Sequence, residues 1–246
     1  MEKHTFQIWS PQLRNRRSVD VYLPASYSAD RLRYPVVYAQ DGQNLSDPFI
    51  AFGGKTWQLE GALDRLRSRG IEPIVVGLHN TGERRLAEYS PFADPRHGGG
   101  DGLRYVRFLV DTVKPRIDAE YRTRRDRDST VILGSSMGAL ISLYAFFLRP
   151  SPFGRVGALS PSIWFGRRSI LEFIERARVT RGRIYVDVGT AEGSGTVRDA
   201  RLLVRLLRQK GYRGRNVVRY IEVAGDQHTE AHWAKRLPGA LEFLLG

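Results

Sequence analysis

In "STVILGSSMGALISLYAFF", residues 129–147, Ser136 stands two positions after Gly134 and two before Gly138, where a β-branched run gives way to an apolar helical one. A serine at such a join is forced into a strained turn that lifts its hydroxyl above the sheet edge. The flanking glycines let the strand and helix backbones pass closely, so "GSSMG" fits the nucleophile elbow G-x-S-x-G. The alternative is a tight strand-to-helix turn whose serine only caps the helix.

A serine hydroxyl becomes a nucleophile only when a base takes its proton and an acid orients that base. In hydrolases built on an elbow, the chain order is serine, acid, histidine. Only His228 and His232 follow Ser136 in the chain. His228, in "VAGDQHTEAHW", falls in a loop after the last predicted strand, on the edge where Ser136 points, whereas His232 falls in or at the start of the next helix. His228 is the expected base. Among the acids, Asp187 alternates within a strand, Asp199 lies on a helix and Asp226 is too close in sequence to His228. Glu192, in "GTAEG" just past a strand, has the reach and is the favoured acid, with Asp187 and Asp199 left open. Two N–H donors must also stabilise the oxyanion. The expected pair is the amide of Met137 and an amide of Gly42 or Gln43 in the turn "DGQN", residues 41–44.

These side chains need a scaffold, and its elements are legible as brief apolar runs bounded by turn residues. "HTFQIW" and "SVDVYLP" read as two antiparallel edge strands. "YPVVYAQ", "EPIVVGL", "STVILGS", "RVGALS", "RIYVDVG" and "NVVRYIEV" read as strands buried on both faces of a mostly parallel sheet. Helical spacing marks residues 57–69, 102–115, 137–148, 168–178, 196–210 and 231–245. Thr196 is expected to cap the fifth helix and Gly211 to end it, while Pro238 should kink or restart the last. Alternating strands and helices imply an α/β sheet of about eight strands with right-handed crossovers, helices on both faces and three layers. With no linker or repeat, residues 1–246 read as one catalytic domain. Residues 79–102 form a long Gly- and Pro-rich segment after a strand's carboxyl end, expected to be a flexible active-site loop.

Composition narrows the chemistry further. The 246 residues include no cysteine, which excludes thiolate nucleophiles and disulfides and is compatible with a reducing cytoplasm. No secretory h-region is visible, and the longest apolar run, Ala139–Leu148, is far short of a membrane span, so a cytoplasmic protein with no membrane partner is expected. The 39 Lys and Arg against 26 Asp and Glu give +13. Arg14, Arg65, Arg85, Arg124, Arg155, Arg183 and Arg215 are nonetheless scattered, and no aromatic-interleaved basic segment calls for nucleic acid. His79 and His97 belong to no metal-ligand spacing, and no cofactor motif is present. No feature fixes the oligomeric state, and a homodimer is compatible.

The stretches "RRSVDVYLPASY", "YPVVYAQDGQN", "RLAEYSP", "VKPRIDAEYRT", "VILGSSMGALISLYAFFLRP", "ALSPSIW", "VDVGTAEG" and "GDQHTEAHWAKRLPGALEFL" together span nearly the whole chain. In them the sequence resembles the putative esterase family of α/β hydrolases, which includes esterase D-like and enterochelin-esterase-like enzymes. The resemblance implies the α/β-hydrolase fold, Ser136 as nucleophile, His228 as base and Glu192 as acid, with some members relying on the Ser-His pair. It also implies that the "DGQN" turn, with Asp41 in it, builds the oxyanion site with Gln43 as donor, and that Arg85, Glu88 and Tyr89 help form the pocket. Trp57, Trp164, Phe165 and Trp233, at strand ends or helix starts, are expected to line an acyl or aromatic pocket. The expected partner is a small-molecule ester. If Arg84 and Arg85 converge on the serine, an anionic catecholate ester gains as substrate; the same fold kept only for binding is the reading from another class.

Overall fold

The β-branched runs form a single eight-stranded sheet in the computed structural model, which describes residues 1–214 and 217–246. Arg215 and Asn216, the first residue of the predicted last strand, lie outside the described residues. In chain order the strands are β1 (Glu2–Ser10), β2 (Asn15–Leu23), β3 (Val36–Gln40), β4 (Ile74–Leu78), β5 (Thr130–Ser135), β6 (Arg155–Leu159), β7 (Arg183–Gly189) and β8 (Val218–Val223). Their spatial order is β1-β2-β4-β3-β5-β6-β7-β8. β1 and β2 pair antiparallel, β2 meets β4 antiparallel, and all other pairings are parallel. The parallel strands therefore end together at one carboxyl edge, where ligands bind in such sheets.

Alternation along each strand feeds two separate cores. Val36, Tyr38, Ile74, Val76, Ile132 and Val156 face one layer of helices: α3 (Gly102–Phe108), α5 (Met137–Leu148), α6 (Ser169–Arg176) and α7 (Ser194–Gln209). Val37, Val75, Leu133 and Tyr185 face the other layer, α1 (Leu59–Arg67) and α8 (Glu230–Leu245). α5 is buried along nearly all its length, which explains why its sequence is apolar all round rather than striped. This is the α/β-hydrolase fold.

Several boundaries differ from expectation for identifiable reasons. The predicted 102–115 helix continues to Glu120, through a π-helical turn at Leu109–Val113 and then α4 (Lys114–Glu120). α7 starts at Ser194, not 196; Thr196 lies inside it, donating its hydroxyl to the Glu192 carbonyl rather than capping the helix. α8 runs through Pro238 without restarting, its apolar face held on the sheet by Leu237, Ala240, Leu241 and Leu244. Packing outweighs the one N–H that proline withholds. Residues 79–102 are less loop-like than their composition suggests. They hold α2 (Arg85–Glu88) and a small ribbon pairing Ala93–Asp94 with Gly98–Gly99, tied by Gly100 and Gly102 amides donating to the Ser90 carbonyl.

Candidate active site

Ser136 is the residue between β5 and α5, with φ 55° and ψ −121°, a backbone state that few non-glycine residues adopt. The turn is this sharp because Gly134 has no side chain: a Cβ there would lie 2.4 Å from the Gly138 carbonyl carbon. Three chain segments hold the turn in place. Ser136 N–H donates to the Leu159 carbonyl (2.9 Å), and the Ser136 carbonyl accepts from the Leu140 amide of α5 and the Ser162 amide.

From this hydroxyl a series of hydrogen bonds runs inward. His228 Nε2 lies 2.9 Å from Ser136 Oγ, and His228 Nδ1 lies 2.8 Å from Glu192 Oε2. An ionised carboxylate can only accept, so the proton on this edge of the ring sits on Nδ1, leaving the Nε2 lone pair for the serine O–H. The Glu192 side chain is fully buried. Its other oxygen accepts from the Gly189 amide (2.8 Å) and the Ser160 hydroxyl (2.6 Å), and faces Arg236 Nη2 at 3.3 Å. Burial pushes this carboxyl up, but the bonds from His228, Ser160 and Gly189 outweigh it and hold its pKa below the ordinary range.

Arg236, buried in α8, is the centre of a charge cluster that the sequence did not reveal. Its guanidinium meets Asp187 at 3.0 Å, Glu192 at 3.3 Å and Asp226 at 3.5 Å, and donates to Ser160 Oγ. Asp187 is thus buried in a specific pair and faces Arg236 and the Ser160 amide, not His228; burial pushes its carboxyl up to about 7 despite Arg236. Asp199 is occupied by Arg168, 2.9 Å away. His232 turns to the Thr229 hydroxyl, 2.9 Å, and does not meet Ser136. Of the residues the elbow implicates, the structure brings Ser136, His228 and Glu192 together.

The opposite wall is the turn after β3. Asp41 has φ 56° and Gly42 packs flush on β4, where a Cβ would lie 2.4 Å from the Gly77 carbonyl carbon. Three groups fix the Asp41 carboxylate and backbone: Arg85 donates twice at 2.8 Å, Asn80 Nδ2 donates at 2.7 Å, and the Asp41 amide donates to Tyr89 Oη at 3.1 Å. Burial alone would lower the Arg85 pKa, but the Asp41 charge reverses that and raises it. Gln43 lines the cavity and its side chain accepts from the Asn80 amide; Gly42 is buried behind it and does not line the cavity. Among the described residues, the backbone N–H groups of Gln43 and Met137 have no protein acceptor. Met137 opens α5, where the first amides of a helix have no intrahelical acceptor and can meet an anion.

Between the walls lies a cavity of about 460 Å³ in which Ser136 and His228 are accessible. Asp41, Gln43, Asn80 and Arg85 line one side, Glu230 and Trp233 another, and Ile50 and Phe52 form an apolar lip. The lip is anchored by Asn44, whose side-chain oxygen accepts from the Phe52 amide. Five expected pocket residues are placed elsewhere. Trp57 is fully buried in the core beneath the site, edge-on to Trp233. Tyr89 is fully buried behind Asp41 and positions that turn without lining the cavity. Trp164 is half exposed and packs on His97 and Phe165 outside the cavity. Phe165 is itself buried, and Glu88 is taken up by Arg17 at 2.6 Å. An aromatic next to a strand end serves core or pocket equally well in sequence, so only its packing separates the two. The signals missed were Ser160 and Ser162 of "ALSPSIW"; Ser162 Oγ lies 3.1 Å from Ser136 Oγ.

A serine, an imidazole and a carboxylate in hydrogen-bonded series, set at the carboxyl edge of this sheet order, define a hydrolase of the α/β class. Residues 10–244 match the family model described as Putative esterase, and the chain belongs to that family. It is an esterase, a hydrolase of carboxylic esters. The uncharacterized protein YbbA of Bacillus subtilis is 29% identical over 94% of this chain and 93% of its own length. The ferri-bacillibactin esterase BesA of Bacillus subtilis is 28% identical over 56% of this chain and 51% of its own length. The crystal structure of the BES protein from Bacillus cereus superposes with a TM-score of 0.79 at 22% identity, covering 99% of this chain and 95% of that one, a likeness of fold.

Proposed function

We propose that residues 1–246 act as one catalytic unit that hydrolyses a small-molecule ester through an acyl-enzyme on Ser136. The observation that carries this reading is the unbroken series Ser136 Oγ, His228, Glu192, with separations of 2.9 and 2.8 Å. His228 takes the Ser136 proton as Oγ attacks the ester carbonyl. The amides of Met137 and Gln43 stabilise the oxyanion by roughly 3 kcal/mol each. His228 then returns the proton to the departing alcohol, and water, deprotonated by the same imidazole, releases the acid. Glu192 holds the ring in the Nδ1–H tautomer and balances the imidazolium. The siderophore and ester names borne by relatives such as BesA support a small-molecule ester as substrate.

Hydrolysis of p-nitrophenyl acetate by the wild type and by Ser136→Ala tests the assignment. The variant should lose at least about 10⁴-fold in kcat while keeping its fold by circular dichroism; equal rates would remove Ser136 from the reaction.

A further inference from the structure

A chain of net charge +13 would be expected to offer its substrate a positive pocket, yet the cavity beside Ser136 is not positive. Among the described residues, Arg85 is the one Lys or Arg that lines it. Its guanidinium is committed to Asp41 through two hydrogen bonds of 2.8 Å, so the pair contributes no net charge. Arg84 turns away to Asp101, at 2.8 Å. Arg17 is buried on Glu88, and Arg236 lies behind the site among Asp187, Glu192 and Asp226.

Glu230 is what remains. It lines the cavity two residues after His228, at the start of α8, and among the described residues its carboxylate has no cationic partner within ion-pair distance. Burial pushes its carboxyl above the usual range and the nearby Asp41 charge adds to that, against the pull of its own backbone amide and of His228 and Arg85. A half-buried carboxylate without a counter-ion attracts a cation and repels an anion that enters the cavity it lines.

We propose that Glu230 makes this active site selective for uncharged or cationic esters and sets it against anionic ones. The inference rests on Ser136 as the nucleophile. It leaves the arginines paired or away from the cavity and assigns the substrate preference to one carboxylate at the cavity wall. The apolar lip of Ile50 and Phe52 faces the same space, so an ester with an apolar body and a neutral or ammonium-bearing end matches both surfaces.

The test uses three p-nitrophenyl esters of similar acyl length whose far end is a methyl, a carboxylate or a trimethylammonium group. The wild type should show kcat/KM for the carboxylate ester about tenfold or more below that for the methyl ester, with the ammonium ester equal to or above the methyl ester. In Glu230→Gln the carboxylate-to-methyl ratio should rise about tenfold, and in Glu230→Lys it should rise further and the ammonium ester should fall behind. Added salt should compress the wild-type ratio toward one. Equal wild-type use of the carboxylate and methyl esters, or a ratio indifferent to residue 230, overturns the proposal. A ferric catecholate cleaved better than the neutral ester overturns it as well. Ser136→Ala is run on the methyl ester alongside. If that variant is inactive while the ratios ignore residue 230, charge selection alone is lost; if it is active, the underlying assignment falls.

Discussion

The two walls of the cleft each tie down a carboxylate with an arginine, and they use it for different ends. On the base side, Arg236 sits among three buried acids and Ser160, and what it holds still is Glu192, which in turn holds the His228 ring. On the oxyanion side, Arg85 grips Asp41 alone, and what it holds still is a left-handed backbone turn carrying the Gln43 amide. One wall orients the side chains of the proposed proton path; the other orients the backbone amide proposed for the oxyanion. In the proposed mechanism each buried ion pair serves to position a reacting group, since burying both charges offsets most of their mutual attraction.

The comparison breaks most sharply at Glu192. Glu192→Gln keeps the size of the side chain but removes the charge that fixes the tautomer, so kcat should fall by about 10³ to 10⁴-fold. A fall of less than tenfold would mean that Ser136 and His228 suffice without the acid. Arg236→Met should cost about 3 kcal/mol of stability, because Asp187, Glu192 and Asp226 lose their shared cation, and should lower kcat while leaving KM nearly unchanged. Chemical denaturation and steady-state kinetics check both, and a KM effect larger than the kcat effect would contradict the positioning role.

Arg85→Met tests the other wall. Releasing Asp41 should let the strained turn relax and lower kcat about tenfold, a fraction of what loss of a whole oxyanion donor costs. An unchanged kcat would show that the Gln43 turn holds its shape without the pair.

A further effect, on stability and not on rate, sits behind that wall, at Asp20. Burial pushes its carboxyl up, but bonds from His79, Thr5 and Lys3 prevail and bring it down to about 2. Since the folded pKa lies below the ordinary carboxyl value of 3.8, the group stabilises the fold above that value and the contribution is lost as pH falls toward 2. Asp20→Asn should cost about 2 kcal/mol at pH 7 and almost nothing at pH 2. Unfolding free energies that differ equally at both pH values would show the cost to be packing. At the low end, Arg201→Ala breaks an exposed pair with Glu222 and should leave both the unfolding free energy and kcat unchanged within error.

The sheet was legible because its strands are short β-branched runs between turn residues, and every one of the eight runs contains a strand. The serine, the loop histidine and the "GTAEG" acid were legible because an elbow demands partners in a set chain order on one sheet edge. Arg236 was not: within "AHWAKRLPG" an arginine reads as part of a solvated helix face, and only the fold reveals that this face meets Asp187. Glu230 shares the problem, standing one residue inside a helix where an acid is ordinary. Trp57 and Trp164 lie outside the cavity because sequence position near a strand end does not say which face of the neighbouring loop turns inward, and Tyr89, which the resemblance placed in the pocket, is buried behind Asp41.

The central claim, that the hydroxyl at 136 is the nucleophile driven by His228, is tested most directly by covalent trapping with a fluorophosphonate, followed by intact-mass measurement and peptide mapping. The account predicts a single adduct on Ser136, loss of activity in step with labelling, no adduct in Ser136→Ala and slow labelling in His228→Ala. An adduct on another residue, or esterase activity that survives full labelling of Ser136, would contradict it.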